Sequence, residues 1–459
     1  MMKGSITVFL SLSLSVLIMF VLLLTGYAIR NAGKVRFEGA MDLAMNSVLG
    51  EFHVKLHERY GLLYVDLSYL EKMPSVKNME ERLEHYMCKN MDGKRDNAAW
   101  GILDLEQVQI VEIVTAAQGN GNTLKAQAVS FRQDSGKGET VTYGKALGDG
   151  VVITPGKELD NWSALMEEIS GMELPVKLNE KGKWEEVPLS NPADSVFALT
   201  GSDVLYLCKA DVNSIGVGTI QSEAYLSGRE IKNMAEAEMK QADTAVFTEY
   251  LFDKMGNYGR EREDSFLQCQ LEYVAMGERS DYENIKAVTE KLLIWRFAVN
   301  TAYAFSDADL YRQAMDVAKQ LEAVALDESF CVPVTKSILY ACAYLESIAE
   351  VQSLLQGGKA ENAKTGFYTG IEQVMSCTVL QISGQSGYSY EEYLFCLIMQ
   401  LSEEKRNLRS MDIMEMDIRY LTGNMYFSMD WCAERFTAKA SASEKSGKIY
   451  DLERCYGYY

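Results

Sequence analysis

The sequence predicts an α+β chain, predominantly α-helical, with one N-terminal transmembrane helix. Three observations predict it. From Gly4 to Ile29 no residue is charged. Residues 103–116 carry the β-branched content and near-alternation of a strand. From about 229 to 437 apolar residues recur at helical spacing between capping signals. The chain has 459 residues, 47% of them hydrophobic and 24% charged. That composition excludes a disordered, collagen-like or polytopic membrane chain, and the length allows about three domains.

Residues 1–30 read as the anchor. At about 1.5 Å per residue the uncharged stretch exceeds a hydrocarbon core of about 30 Å. Ile6, Val8, Phe9, Leu10 and Leu24 are among its anchoring residues. Ser11, Ser13 and Ser15 do not prevent insertion, because helical hydroxyls bond back to carbonyls one turn earlier. No other window reads as a second span. The rival reading is a cleavable secretory signal, for which Gly26 and Ala28 would suit a small-x-small site. The apolar run is longer than such signals need, which favours a retained anchor.

Residues 31–134 read as an amphipathic stalk helix followed by a small mixed region. Phe37, Met41, Ala44, Val48, Phe52 and Leu56 form one apolar stripe over 31–59. Packing onto the protein's own body is the preferred reading of that stripe, and packing between subunits is the alternative. Gly61 ends the helix, and Leu62–Val65 reads as a short strand. Residues 75–90 read as a helix with Ser75 at its N-cap. The G-N-G-N run at 119–122 makes a turn before a helix over 123–134.

Residues 135–228 hold Pro155, Pro175, Pro188 and Pro192 with frequent glycine. They read as an irregular, β-containing insertion, with Val204–Leu207 as one strand. Residues 229–437 read as a helical body, with helices over 243–257, 265–276, 281–304, 307–325, 334–356, 389–402 and 404–437. Ser280-x-x-Glu283 and Ser389-x-x-Glu392 fit the capping box, and Ser306-x-x-Asp309 is a weaker version. Gly357-Gly358 is a clean stop, Gly423 is a second breaker, and 366–388 has room for a strand. Residues 438–459 form a polar tail that closes in a Tyr-rich run, read as a docked terminal strand.

The formal charge is −20. Affinity for nucleic acid rests on cationic neutralisation of phosphate, and no basic stripe is present, so a nucleic-acid partner is not expected. The nine cysteines include no C-x-x-C pair. Cys331, Cys342, Cys377, Cys396 and Cys432 lie in apolar surroundings and read as buried hydrophobes.

His53 and His57 would share one helical face beside Glu58, but a metal needs three ligands and H-E-x-x-H is absent. There is no G-x-S-x-G elbow. Gly138 to Lys145 evokes a phosphate loop, but it has five residues between glycines and Ala146 where Ser or Thr is needed. Glu391-Glu392, Glu403-Glu404 and Asp412-x-x-Glu415 read as solvated helical faces. No catalytic, metal or cofactor site is therefore expected, and no enzyme activity.

The run Lys3-Gly4-Ser5-Ile6-Thr7-Val8-Phe9-Leu10 resembles the start of pilin-like and TadE/TadG-like proteins. That resemblance implies a short basic leader ending at Gly4, with Ser5 as the first mature residue. Phe9 then stands at the fifth mature position, where such pilins usually carry Glu. The run at 52–66, with L-E-Y-V-A-M-G at 271–277 and L-L-I-W-R-F-A-V-N-T-A-Y at 292–303, widens the likeness. Together these segments resemble an uncharacterised family of large membrane-anchored proteins of clostridial-type Gram-positive bacteria, found alongside Tad (Flp-type) pilus and secretion genes. The resemblance implies a single-pass cell-membrane protein with an extracytoplasmic body. Its partners would be the lipid bilayer and proteins of a pilus or secretion assembly. It would act as a non-enzymatic structural or assembly component. The alternatives are an adhesive or binding module and, behind it, a cell-wall-acting enzyme.

Overall fold

A computed structural model describes all residues except 1, 71, 92–102, 138–140, 144–155, 173–175, 187–189, 232–241, 326–329, 445–446 and 459. Helix accounts for 61% and strand for 12%, so the fold is α+β with helix dominant. Most of the rejected phosphate-loop stretch at 138–145, and Ala146 after it, lies outside the described residues. The chain divides into two compact units. The first holds residues 1–131, 228–242 and 414–459, and the second holds 132–227 and 243–413.

The first unit begins with one uninterrupted helix, Met2–Leu49. The stalk helix thus stops ten residues short of the expected 59. Residues 50–53 turn, and a separate helix Val54–Tyr60 follows. His53 caps the second helix instead of continuing the first: its Nδ1 accepts the Leu56 amide at 3.1 Å. Gly61 closes that helix at φ +76°. A Cβ there would sit 2.3 Å from the Phe131 ring, so both backbone and space require glycine. The expected strand at Leu62–Val65 shrinks to Val65–Asp66. The 75–90 helix is found as Val76–Met91, with Ser75 Oγ accepting the Lys77 amide. The G-N-G-N turn is a left-handed run in which Gly119, Asn120 and Gly121 all have positive φ.

A four-stranded antiparallel sheet completes this unit. Strand Cys432–Glu444 is central, with Leu103–Thr115 along one edge. Val65–Asp66 and Ile449–Gly457 take successive stretches of the other edge. The expected helix over 404–437 therefore ends at Thr422, where Gly423 adopts φ +71°. Residues 432–437 are strand. The docked terminal strand is present as Ile449–Gly457.

Ala438, Ala440 and Ala442 alternate inward along the central strand. They belong to one core with Phe37, Met41, Ala44 and Val48 of the long helix and Met79, Leu83 and Met87 of Val76–Met91. The stripe over Phe37–Val48 thus packs on the protein's own body. Small residues at these strand positions let helix and sheet approach closely. Ala440→Leu is expected to overpack this layer and lower stability by about 1–3 kcal/mol in chemical denaturation.

The second unit surrounds the buried helix Cys331–Leu355. This helix is long and apolar enough to cross a membrane, but 89% of its apolar window is buried inside the unit. Asp281–Ser306, Ala308–Ala325, Glu158–Gly171 and Pro192–Phe197 pack on it. Trp162 sits among Phe197, Phe297, Tyr340 and Tyr344, with ring centroids 4.9–6.3 Å away. Ser280 and Ser389 cap their helices as expected. Ser306 does not: it ends the preceding helix, and Asp307 Oδ1 accepts the Asp309 and Leu310 amides at 2.9 Å. The insertion is mostly short helices. Val204–Leu207 is helical, capped by Asp203, and the only hairpin among its described residues pairs Val176–Leu178 with Trp184–Glu186. In 366–388 a helix Ile371–Ser376 precedes a two-residue strand that begins at Tyr388.

Candidate functional site

The first candidate is the amino-terminal half of the long helix. Ile6, Val8, Phe9, Leu10 and Leu24 are all exposed, Phe9 at 73%. None of the described residues in the apolar window of this segment is buried. In water that costs roughly 25 cal/mol per Å² of apolar area, so such a surface demands another apolar phase. The polar groups are already satisfied within the helix. Ser11 Oγ donates to the Val8 carbonyl (2.9 Å), Ser13 to Leu10 (3.1 Å), Ser15 to Ser11 (2.8 Å) and Thr25 Oγ1 to Val21 (2.7 Å). A helix whose backbone and hydroxyls are paired internally is what a bilayer accepts. The backbone of Gly4 and Ser5 is helical.

Charges begin where the apolar run ends. Arg30 lies 3.4 Å from Glu444, Lys34 is 3.8 Å from Glu38, and Asp42 is 3.6 Å from Arg454. The same rod is therefore bare and apolar at its start, and docked on the sheet from Phe37 onward. This apolar helix has the make-up of a membrane span or of a signal sequence.

The second candidate is a buried ion cluster in the second unit. Lys364 Nζ lies 2.6 Å from both Glu346 Oε1 and Glu350 Oε1. Arg296 Nε donates to Glu350 Oε2 at 2.8 Å, and Arg296 Nη1 to the Glu361 carbonyl at 2.6 Å. Glu346 also accepts the Thr369 amide at 2.9 Å. Burial opposes ionisation of Glu350, but the Arg296 and Lys364 charges hold its carboxyl below the usual range. A cavity of about 210 Å³ opens beside Glu350, Lys364 and Tyr368. Each carboxylate is committed to fixed cations, so the cluster ties the loop after Gly358 to two helices. Glu346 and Glu350 stand four apart on the buried helix, but Arg296 and Lys364 come from another helix and a loop, so no local sequence spacing joins the cations to the carboxylates.

Carboxylates on the helix Glu403–Thr422 correct the sequence reading. Asp412 and Glu415 are fully buried, not solvated. Asp412 accepts the Ser227 amide (3.0 Å) and the Tyr273 hydroxyl (2.8 Å). Glu415 pairs with Arg419 and with Arg229, which reaches Asp430 as well. Asp417 binds Arg59 (2.9 Å) and the Tyr60 hydroxyl (2.7 Å). Glu403 and Glu404 are exposed as expected, whereas Glu392 closes a capping box.

His53 and His57 do not share a helical face, because His53 stands before the helix as its cap. Burial pushes the His53 imidazole down to about 4. Among the described residues no group of His, Cys, Asp and Glu is arranged to hold a metal. All nine cysteines are free; Cys342, Cys396 and Cys432 are buried, and Cys331 and Cys377 are half-buried.

Glu272 is fully buried, accepts the Tyr258 amide (2.8 Å) and the Tyr390 hydroxyl (2.9 Å) through Oε1, and is pushed by burial up to about 7. Protonation is therefore easier in the folded than in the unfolded chain. Its contribution is fully present below about pH 4.5 and lost as pH rises through about 7. Glu272→Gln is expected to stabilise the protein at pH 8 by on the order of 2–3 kcal/mol, with the gain vanishing near pH 5. Denaturation curves of both proteins across that range check the sign.

A model of a family of unknown function, DUF5702, matches residues 182–444. No curated protein and no solved structure matches the chain.

Proposed function

The chain belongs to the DUF5702 family, and from that premise we propose that it is a non-enzymatic, membrane-anchored protein of the cell envelope. Its role in this reading is structural: a component of a Tad/Flp-like pilus or secretion assembly, with the body outside the cytoplasm. One observation carries the reading. A single helix, Met2–Leu49, is exposed and apolar at its start and buried in a folded unit at its end. No hinge separates the two parts, so the bilayer's hold on residues 5–29 passes directly to the sheet. The pilin-like pattern of Lys3–Leu10 and its continuation into an amphipathic helix support the choice of assembly. Protease shaving of intact cells tests the topology. Digestion of the body is expected; digestion of the extreme amino terminus alone would place the body in the cytoplasm and defeat the reading. Deleting the gene is further expected to reduce surface pili or secreted cargo.

A second reading, an adhesive or binding module, draws on the insertion. Trp184, Tyr206 and Val217 project from it, the last 98% exposed. Exposed large apolar side chains on a folded surface are where binding commonly concentrates. Alanine at all three positions would then abolish surface attachment while leaving membrane retention intact.

A further inference from the structure

The long helix has a second apolar face that its own body leaves uncovered. Its core face, Phe37, Met41, Ala44 and Val48, is buried. On the opposite side, Ala32, Val35, Gly39 and Leu43 fall within about 80° of arc at 3.6 residues per turn. Val35 is 66% and Leu43 60% exposed, and Ala32 is exposed beside them. This face lies beyond the apolar run, among charged residues, so burial in hydrocarbon does not account for it. Gly39 adds an independent observation. A Cβ there would meet nothing within 4 Å, so the chain's own packing does not require glycine. Glycine inside a helix nonetheless costs about 1 kcal/mol relative to alanine. A glycine on an uncovered helix face leaves room for a second helix to approach closely.

The flanks decide what approaches. Arg36 borders the face on one side, while Glu38 and Asp42 border it on the other. Arg36 makes no ion pair among the described residues, and Glu38 is held only by Lys34 at 3.8 Å. In a parallel two-fold pair of helices, opposite flanks of the two copies meet. Arg36 of one copy then faces Glu38 of the other, twice. In an antiparallel pair like flanks meet, Arg36 against Arg36, which is repulsive. The charge pattern therefore selects a parallel second copy of the same helix. Anchoring in one bilayer imposes the same orientation, and to that extent the inference rests on the proposed anchor.

We propose that the Ala32–Val35–Gly39–Leu43 face is a self-association surface, joining two copies of this chain in parallel through their long helices. The test uses the full chain in mild detergent, read by sedimentation, with flotation on phosphatidylglycerol/phosphatidylethanolamine vesicles alongside. The wild type is expected to be dimeric or larger. Val35→Glu with Leu43→Glu is expected to weaken association at least tenfold while leaving flotation and thermal stability unchanged. Gly39→Leu separates interface from fold: it should raise helix stability and still weaken association. Arg36→Glu should weaken association, and mixing it with Glu38→Arg should restore a mixed pair. A monomeric wild type, or association unaffected by both Val35→Glu/Leu43→Glu and Gly39→Leu, overturns the proposal. Failure of the wild type to float overturns the anchor instead, and sedimentation reads the two apart.

Discussion

Replacing Leu17 and Phe20 by arginine is expected to release the protein from membranes. Both lie in the middle of the uncharged stretch and both are exposed. A centrally placed arginine costs about 2.5–3.5 kcal/mol on insertion scales. Two should oppose insertion by about 5–7 kcal/mol, more than a thousandfold in partition. The folded unit should survive, because the described core takes its first residue from this helix only at Phe37. Carbonate extraction should move the variant to the soluble fraction, with its melting behaviour unaltered. Continued retention in the membrane would mean that the body binds it by another surface.

Glu350→Gln is expected to lower the stability of the second unit by about 3–5 kcal/mol. The change keeps side-chain size but leaves Arg296, buried at that site, and Lys364 without their shared anion. Glu346 compensates Lys364 only, since Arg296 has no second carboxylate among its described partners. Removing Lys364 as well, by Lys364→Gln, should recover part of the loss, because the desolvated cation goes with its partner. A double-mutant cycle measures the coupling. Additive losses would mean that the two charges act independently, contrary to a 2.6 Å contact.

The parts that sequence made legible are those governed by local chemistry. The apolar run needs only its length, the stripe from Phe37 to Val48 only its period, and the caps at Ser280 and Ser389 only a four-residue motif. The strand Cys432–Glu444 escaped detection because A-E-R-F-T-A-K-A-S-A-S alternates alanine with polar residues. Alanine is a helix former, and only partner strands on both edges make these residues a sheet centre. The cap at His53 leaves no sequence signal, because the residues that favour an N-cap are Ser, Thr, Asp and Asn and not His. The burial of Asp412, Glu415 and Asp417 depends on Tyr273, Arg229 and Arg59, which lie far away in sequence. The same is true of the Arg296–Glu350–Lys364 cluster. Partners distant along the chain leave no spacing to find.

The nine free cysteines and the committed carboxylates fit a body held by apolar packing and internal ion pairs. What distinguishes this chain is the rod that leaves that body with its apolar surface bare. The most direct test is amino-terminal sequencing of the native protein recovered from floated membranes. A start at residue 1 or 2, or at Ser5, with the chain co-floating, is the predicted result. A start just after Ala28, with the protein released into the medium, would contradict the account.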